Sequence, residues 1–262
     1  MSTVYRLELK RGALSLCIWT AAIAFMLGIS ILIYPEMSSQ IEEINVLFAD
    51  MGSFSAAFGM DSINFGEFTG YFATECGNTL GLGGALYAAY LGVSALAKEE
   101  KERTAEFLLS HPVERNSVVL GKLCAVFTQV TILNLATAAV VVLTALAIGA
   151  DADPGELALL LFASLLMQLE LAAVTFGISA FLKRGAAGVG LGLAFLLYFL
   201  NILANLTEKA EFLKYLTPFS YAEGAGILSE HALNGSYLAV GCGFAVLGIA
   251  AAFLRYRRKD IA

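Results

Sequence analysis

Apolar positions in this chain gather into long, nearly unbroken runs with short polar stretches between them. The runs are Ala13 to Ile33, Tyr71 to Ala97, Leu123 to Ile148, Leu157 to Leu182, Ala186 to Leu206 and Tyr237 to Leu254. Each is on the order of twenty residues, enough at about 1.5 Å per residue to cross a hydrocarbon core of about 30 Å. The pattern predicts an all-α integral membrane protein, residues 1–262 forming one domain with six transmembrane helices at 13–33, 71–97, 123–148, 157–182, 186–206 and 237–254. The first run follows Arg6, Lys10 and Arg11 as a signal peptide would. It lacks a small-residue cleavage site and ends in Tyr34-Pro35-Glu36, so it reads as a retained span.

The polar stretches carry their own patterns. In residues 1–12, Tyr5, Leu7 and Leu9 alternate with Arg6, Glu8 and Lys10. An unpaired strand at a membrane surface would leave its backbone groups unsatisfied, so a short interfacial helix is expected there. Within the stretch 36–70, Ile41, Ile44, Leu47, Met51, Phe54 and Phe58 recur every three or four residues among Glu42, Glu43, Asn45 and Asp50. That spacing predicts an amphipathic helix against the outer leaflet or capping the helices beneath it. Asp151, Asp153, Pro154 and Gly155 read as a tight turn, and 207–236 as a second, longer outer segment.

Composition agrees with lipid as the solvent: 58% of residues are hydrophobic and 15% charged, with a mean hydropathy of +0.76. Soluble domains carry nearer a quarter charged residues. The net charge of −6 matters less than where the basic residues fall. With a cytoplasmic N-terminus, fourteen of the sixteen Lys and Arg lie on the inner side, and only Lys209 and Lys214 lie outside. The positive-inside rule therefore orients six spans with both termini in the cytoplasm, in a multi-pass protein of the cytoplasmic membrane. Cys17, Cys76, Cys124 and Cys242 all sit in apolar runs without CxxC spacing, as small buried side chains.

Residues 98–122 are the one long charged stretch between apolar runs. Lys98 to Leu109 is composed of helix formers; Glu99 and Arg103 make a favourable i,i+4 pair, and Glu102 with Glu106 a mildly repulsive one. Leu108, Leu109 and Val113 give an apolar edge, Pro112 stops the helix at about His111, and Asn116 or Ser117 can cap the helix that enters the third span. An ordinary solvated loop has the same composition.

The order Glu102-Arg103-Thr104-Ala105-Glu106-Phe107-Leu108-Leu109, then Pro112-Val113 and Arg115, then Val118-Val119 and Gly121-Lys122, resembles the intracellular coupling motif of type-2 ABC transporter permeases. Arg103 stands where that family most often has Gly. The likeness extends along the chain: a basic N-terminus, six spans, and Leu216-Thr217-Pro218-Phe219-Ser220-Tyr221 between the fifth and sixth. The resemblance implies a membrane subunit that pairs with a second permease subunit, identical or not, and with two cytosolic ABC ATPase subunits. A cytoplasmic coupling helix between helices 2 and 3 would rest on the ATPase through Glu102, Arg103, Thr104, Glu106, Phe107, Leu108, Leu109, Pro112 and Arg115. ATP-driven closure of the ATPases would export an amphipathic or hydrophobic drug, peptide or lipid. Gly121-Lys122 is followed by Leu123 and lacks the upstream Gly of a phosphate-binding loop, so ATP and Mg are expected on the partner subunits and no cofactor on this chain.

Glu170 is the conspicuous charge inside the fourth span. An ionised carboxylate at that depth costs about 2.5–3.5 kcal/mol on insertion scales, so it needs a partner helix or an aqueous cavity. Gln129 or Asn134 of the third span, or Gln168, are the candidates. A structural contact and a place in a translocation path with Asn134, Tyr87 and Tyr198 both stand; so does an ATP-independent secondary transporter or channel with Glu170 in its ion pathway. Glycines at 81, 83, 84, 185, 188, 190 and 192 let helix backbones approach closely. His111 and His231 lie on opposite sides of the membrane and cannot share a metal, so neither a metal site nor a catalytic constellation is expected. Nucleic acid is not among the expected partners; lipid is.

Overall fold

A computed structural model describes residues 2–40, 52, 55, 57, 63–97, 114–182 and 186–257. Among these residues no strand forms. The long helices are α1 (Ser2–Ser38), α2 (Phe68–Glu75), α3 (Gly83–Ala95), α4 (Arg115–Ala147), α5 (Pro154–Ser179), α6 (Ala186–Leu206) and α8 (Gly235–Arg257), with a short α7 (Gly224–Glu230) before the last. Two 3₁₀ turns, Glu208–Tyr215 and Ser220–Ala222, join α6 to α7. Five of the helices, α1, α4, α5, α6 and α8, are long and apolar enough to cross a membrane.

The second apolar run is helical but is not one regular helix. A π-helical segment, Cys76–Leu82, separates α2 from α3. The turns continue from Phe68 to Ala95 without a break, roughly 40 Å at the usual rise per residue. The sequence CGNTLGL that forms the wide turn has two glycines and few bulky side chains to hold an i→i+4 register.

Residues 1–12 do not make a separate interfacial element. The helix begins at Ser2 and runs straight into the first apolar run, for 37 residues in all. Its first turns are tied to α4 rather than lying apart: the Tyr5 hydroxyl bonds the Thr128 hydroxyl at 3.2 Å, and Glu8 pairs with Lys122 at 3.0 Å. The helix also runs through Pro35 to Ser38, because a proline in the last turn forfeits only one backbone bond. The six residues that carry the amphipathic pattern between Ile41 and Phe58 lie outside the described residues.

Helix ends follow the sequence closely around the α4–α5 turn. Gly149 takes a left-handed backbone (φ 64°), and the N–H groups of Ala150 and Gly149 return to the carbonyls of Ala145 and Leu146. This is a Schellman ending. Asp153 then caps α5, its carboxylate accepting from the N–H of Gly155 (2.6 Å) and Glu156 (3.3 Å), with Pro154 in the first turn. At α4 the expected caps are not used. The helix starts at Arg115, two or three residues earlier than those caps would set it, with extended Glu114 before it, and Asn116 instead accepts a bond from Arg257 Nε at 2.7 Å.

The bundle is built around α5. Half of its most apolar stretch is buried, against 11–33% for the other four long helices. It packs along α3 on one side and α8 on another, with α4 also in contact; α1 lies on α4, and α6 on α3. The tightest crossing is backbone on backbone. A Cβ on Gly177 would sit 2.7 Å from the Gly248 Cα, and one on Gly248 would sit 2.6 Å from the Ala173 carbonyl oxygen. Small residues at both positions are what allow α5 and α8 to meet. The outward faces of α1, α4, α6 and α8 carry exposed Phe25, Leu143, Phe199 and Leu247 among many others, as suits contact with lipid.

Overpacking a close crossing costs about 1–3 kcal/mol. We therefore expect Gly248→Val to lower the thermal unfolding midpoint in detergent by several degrees, while Gly188→Ala, where an added Cβ meets nothing within 4 Å, leaves it unchanged. Equal midpoints for the two variants would contradict the crossing.

Candidate functional site: an intramembrane polar seam and a basic collar

Five polar side chains on α5, those of Ser164, Gln168, Glu170, Thr175 and Ser179, are all buried. Lipid supplies no hydrogen bonds, so each must be satisfied by its own helix or a neighbour. Thr175 and Ser179 turn back onto carbonyls of α5 itself, at 2.7 and 2.6 Å. Gln168 reaches out in two directions. Its carbonyl oxygen accepts from Asn134 Nδ2 of α4 at 2.7 Å, and its amide donates to the Leu80 carbonyl of the π segment at 3.0 Å. Gly84 makes room: a Cβ there would collide with the Gln168 carboxamide.

Glu170 is partnered differently from what the sequence suggests. The Tyr221 hydroxyl donates to Glu170 Oε2 at 2.8 Å, and Gly241 of α8 lies against the carboxylate, so closely that a Cβ there would strike it. The expected partners Gln129, Asn134 and Gln168 do not bond it. The reason is helical phase: residues two apart differ by about 200° around the axis, so Gln168 and Glu170 face opposite sides of α5. Tyr221 comes from the second 3₁₀ turn, in the Pro218-containing segment between α6 and α7, and is itself 2% exposed. Burial, and then the neighbouring Glu170 charge, push its hydroxyl above the usual tyrosine range, so it stays protonated and donates. A lone Tyr in an apolar loop segment after a Pro was the only sequence signal for this contact.

The four side chains proposed from sequence to line a path do not form one cluster. Asn134 is in the interior, bonded to Gln168 and to the Val130 carbonyl. Tyr87, 1% exposed, packs on Trp19 and donates to Gln129 Oε1 at 3.4 Å. Glu170 is enclosed by Tyr221 and Gly241. Tyr198 alone borders a cleft, beside Asn78, whose Oδ1 accepts its hydroxyl at 3.4 Å.

A second polar cluster lies at the end of the bundle that holds both termini. Lys122 is 1% exposed, yet its ammonium donates to Glu8 Oε1 at 3.0 Å and to the Ala95 carbonyl at 2.8 Å. A buried ammonium needs such a countercharge. The Ala95 carbonyl is one of the unpaired acceptors at the C-terminal end of α3, where positive charge is favoured. Arg115 does the same for α8, donating from Nη1 to the carbonyls of Arg257 (3.0 Å) and Tyr256 (3.5 Å). Residues 98–113, with Glu102, Arg103, Thr104, Glu106, Phe107, Leu108, Leu109 and Pro112, lie outside the described residues. Both roots of that segment, Ala95 and Arg115, are held in this basic collar.

The fold and these contacts define a helical membrane protein with buried polar side chains on its central helix, two of which, Gln168 and Glu170, are bonded by neighbouring elements. The ABC-2 family transporter protein model matches residues 2–261, and the chain belongs to that family. It is thus the membrane permease of an ABC transporter, a subunit that is not itself an ATPase. Permeases of this family usually work with ATPase subunits. A search of the curated proteins found no match.

Two outcomes follow from these contacts. Removing one member of a buried ion pair leaves the other uncompensated, at roughly 3 kcal/mol. Lys122→Gln should therefore destabilise the protein in detergent far more than Lys10→Gln. A double-mutant cycle with Glu8→Gln should return a coupling energy above about 1 kcal/mol; additive effects would remove the pair from the account. Tyr221→Phe should lower stability by about 1–3 kcal/mol, the cost of leaving a buried polar group without its hydrogen-bond partner, and pairing it with Glu170→Gln should cost less than the sum of the two singles.

Proposed function

We propose that this chain is the permease subunit of an ABC exporter in the cytoplasmic membrane, working as a homo- or heterodimer with two cytosolic ATPase subunits. Its cargo is amphipathic or hydrophobic: a drug, a peptide or a lipid. The run Phe68–Ala95 serves as a sixth span beside the five long helices, the basic collar faces the cytoplasm, and both termini lie there. Residues 98–113 receive the ATPase, which supplies ATP and Mg.

The observation that carries this reading is the collar. Lys122 joins α1, α3 and α4 at one root of the segment 98–113, and Arg115 joins α4 to α8 at the other. A push on that segment is therefore delivered to four helices at once instead of being absorbed in a slack loop. Fourteen of sixteen basic residues on the same side support the orientation. The alternative, a secondary transporter with Glu170 in an ion pathway, gains no support from a carboxylate enclosed by Tyr221 and Gly241.

The test is purification with the neighbouring gene products and reconstitution in vesicles. Charge reversal at Glu106, or Leu108→Ala with Leu109→Ala, should leave insertion intact and ATP hydrolysis measurable while ATP-driven export falls at least tenfold. Export that persists without ATP, or without any associated ATPase, would overturn the reading.

A further inference from the structure

At the end of the bundle that holds both termini, the basic side chains among the described residues are Arg6, Lys10, Arg11, Arg115, Lys122, Arg255 and Arg257. The last four are engaged within the protein. Arg115 and Lys122 donate to carbonyls at the ends of α8 and α3, Arg257 donates to Asn116, and Arg255 lies over the Phe181 ring, 5.7 Å from its centre. Arg6, Lys10 and Arg11 stand together on the first turns of α1. All three are exposed, and none has a hydrogen-bond or ion-pair partner among the described residues.

Helical phase accounts for the division. Tyr5 and Glu8 turn toward α4, where they meet Thr128 and Lys122. Leu7, Leu14, Ile18 and Phe25 follow one another at steps of seven, four and seven, so they form a single line along α1 on the side away from α4, and all four are exposed. At about 100° per residue, Lys10 and Arg11 flank that line, one on each side at about 40–60°, and Arg6 sits one turn before Lys10. The apolar run begins at Ala13, directly after this basic group, which puts the three cations at headgroup level. Leu14 and Ile18 lie about 5 and 11 Å further along the axis than Arg11, within half of a hydrocarbon core of about 30 Å. Cations at the bilayer surface thus border an apolar line that enters one leaflet.

We propose that this face of α1 holds an anionic phospholipid, its phosphodiester at Arg6, Lys10 and Arg11 and an acyl chain along Leu14 and Ile18. The arginines offer forked N–H donors to phosphate oxygens and the lysine a point charge, and each basic residue near the surface adds to the attraction of an anionic lipid. A zwitterionic lipid brings a cation of its own to the same three cations and loses that advantage. A soluble phosphate has no chain to lay on the apolar line. Glu8, the one carboxylate in residues 1–12, does not compete for the three cations, because Lys122 holds it on the other side of the helix. The assignment needs only that α1 enters the bilayer just after Arg11; it does not rest on the ATP coupling or export proposed above.

The full chain in a non-ionic detergent, titrated with dioctanoyl phosphatidylglycerol or dioctanoyl phosphatidylcholine, tests this by native mass spectrometry and thermal shift. Phosphatidylglycerol should bind saturably, at least tenfold more tightly than phosphatidylcholine, and raise the unfolding midpoint. Arg6→Gln, Lys10→Gln and Arg11→Gln combined should weaken it at least tenfold, while Lys209→Gln with Lys214→Gln, the same kind of change between α6 and α7, should leave it unaltered. A phosphatidylglycerol with a diazirine in its acyl chain, in phosphatidylcholine nanodiscs, should label the parent chain between Leu7 and Ile18; this arm needs no variant and stands if the triple variant does not fold. Equal binding of the two lipids, unchanged affinity in the triple variant, labelling confined to other helices, or displacement by millimolar glycerol 3-phosphate would each overturn the proposal. Any of these removes the lipid site alone; the permease reading fails only on the reconstitution described above.

Discussion

The absence of hydrogen-bonding solvent around the bundle is the constraint that organises it, and it acts chiefly on α5. That helix carries five buried polar side chains, and two of them, Gln168 and Glu170, must be satisfied by other elements. Each needs a donor or acceptor at hydrogen-bond distance and also the space to reach it. The glycines supply the space. Gly84 faces the Gln168 amide and Gly241 the Glu170 carboxylate, so a methyl group at either would displace the side chain from its partner. Polar residues on the central helix and glycines on its neighbours are one arrangement, not two.

The same logic explains why a lysine can be buried at the other polar cluster. Lys122 sits where three chain segments converge, and each contributes something a charge requires: a carboxylate from α1, a free carbonyl from the end of α3, and its own helix to hold it in place. Taking the ammonium out of water is costly, and only the combined contacts offset it. The carbonyl at Ala95 belongs to the residue that ends α3, so the lysine ties the end of that helix to α4. Arg115 ties the start of α4 to the end of α8.

Much of this was legible in the chain because apolar runs and their punctuation are local signals. The run Ala186–Leu206 and α6 cover the same residues, and the Gly149 and Asp153 endings could be read directly from residue type. Three features were not legible. The π segment leaves no trace in the hydrophobic pattern of its run, since periodicity cannot register one widened turn. The continuity of α1 through residues 2–12 depends on contacts with Thr128 and Lys122, more than a hundred residues away in the chain. The partner of Glu170 required knowing which face of α5 meets α8, and inspection of nearby polar residues suggested the wrong face. Of the nine residues assigned to ATPase contact by resemblance, only Arg115 is among the described residues, and there it holds the end of α8.

These restraints also limit how the subunit can move. Sliding α5 past α8 would drive the Gly177 and Gly248 backbones into side-chain-bearing turns, and sliding it past α3 would force Gln168 off Gly84. Tyr221 adds a third restraint, since it ties the loop between α6 and α7 to the middle of α5. Packed interfaces of this kind have discrete arrangements and do not deform smoothly. Arg115, Lys122 and Asn134 of α4 tie α8, α3 and α5 to one another in this way. α6 rests on α3 in the same way, through Gly190, where a Cβ would fall 2.7 Å from the Ala89 carbonyl, while a Cβ at Gly188 or Gly192 would meet nothing within 4 Å.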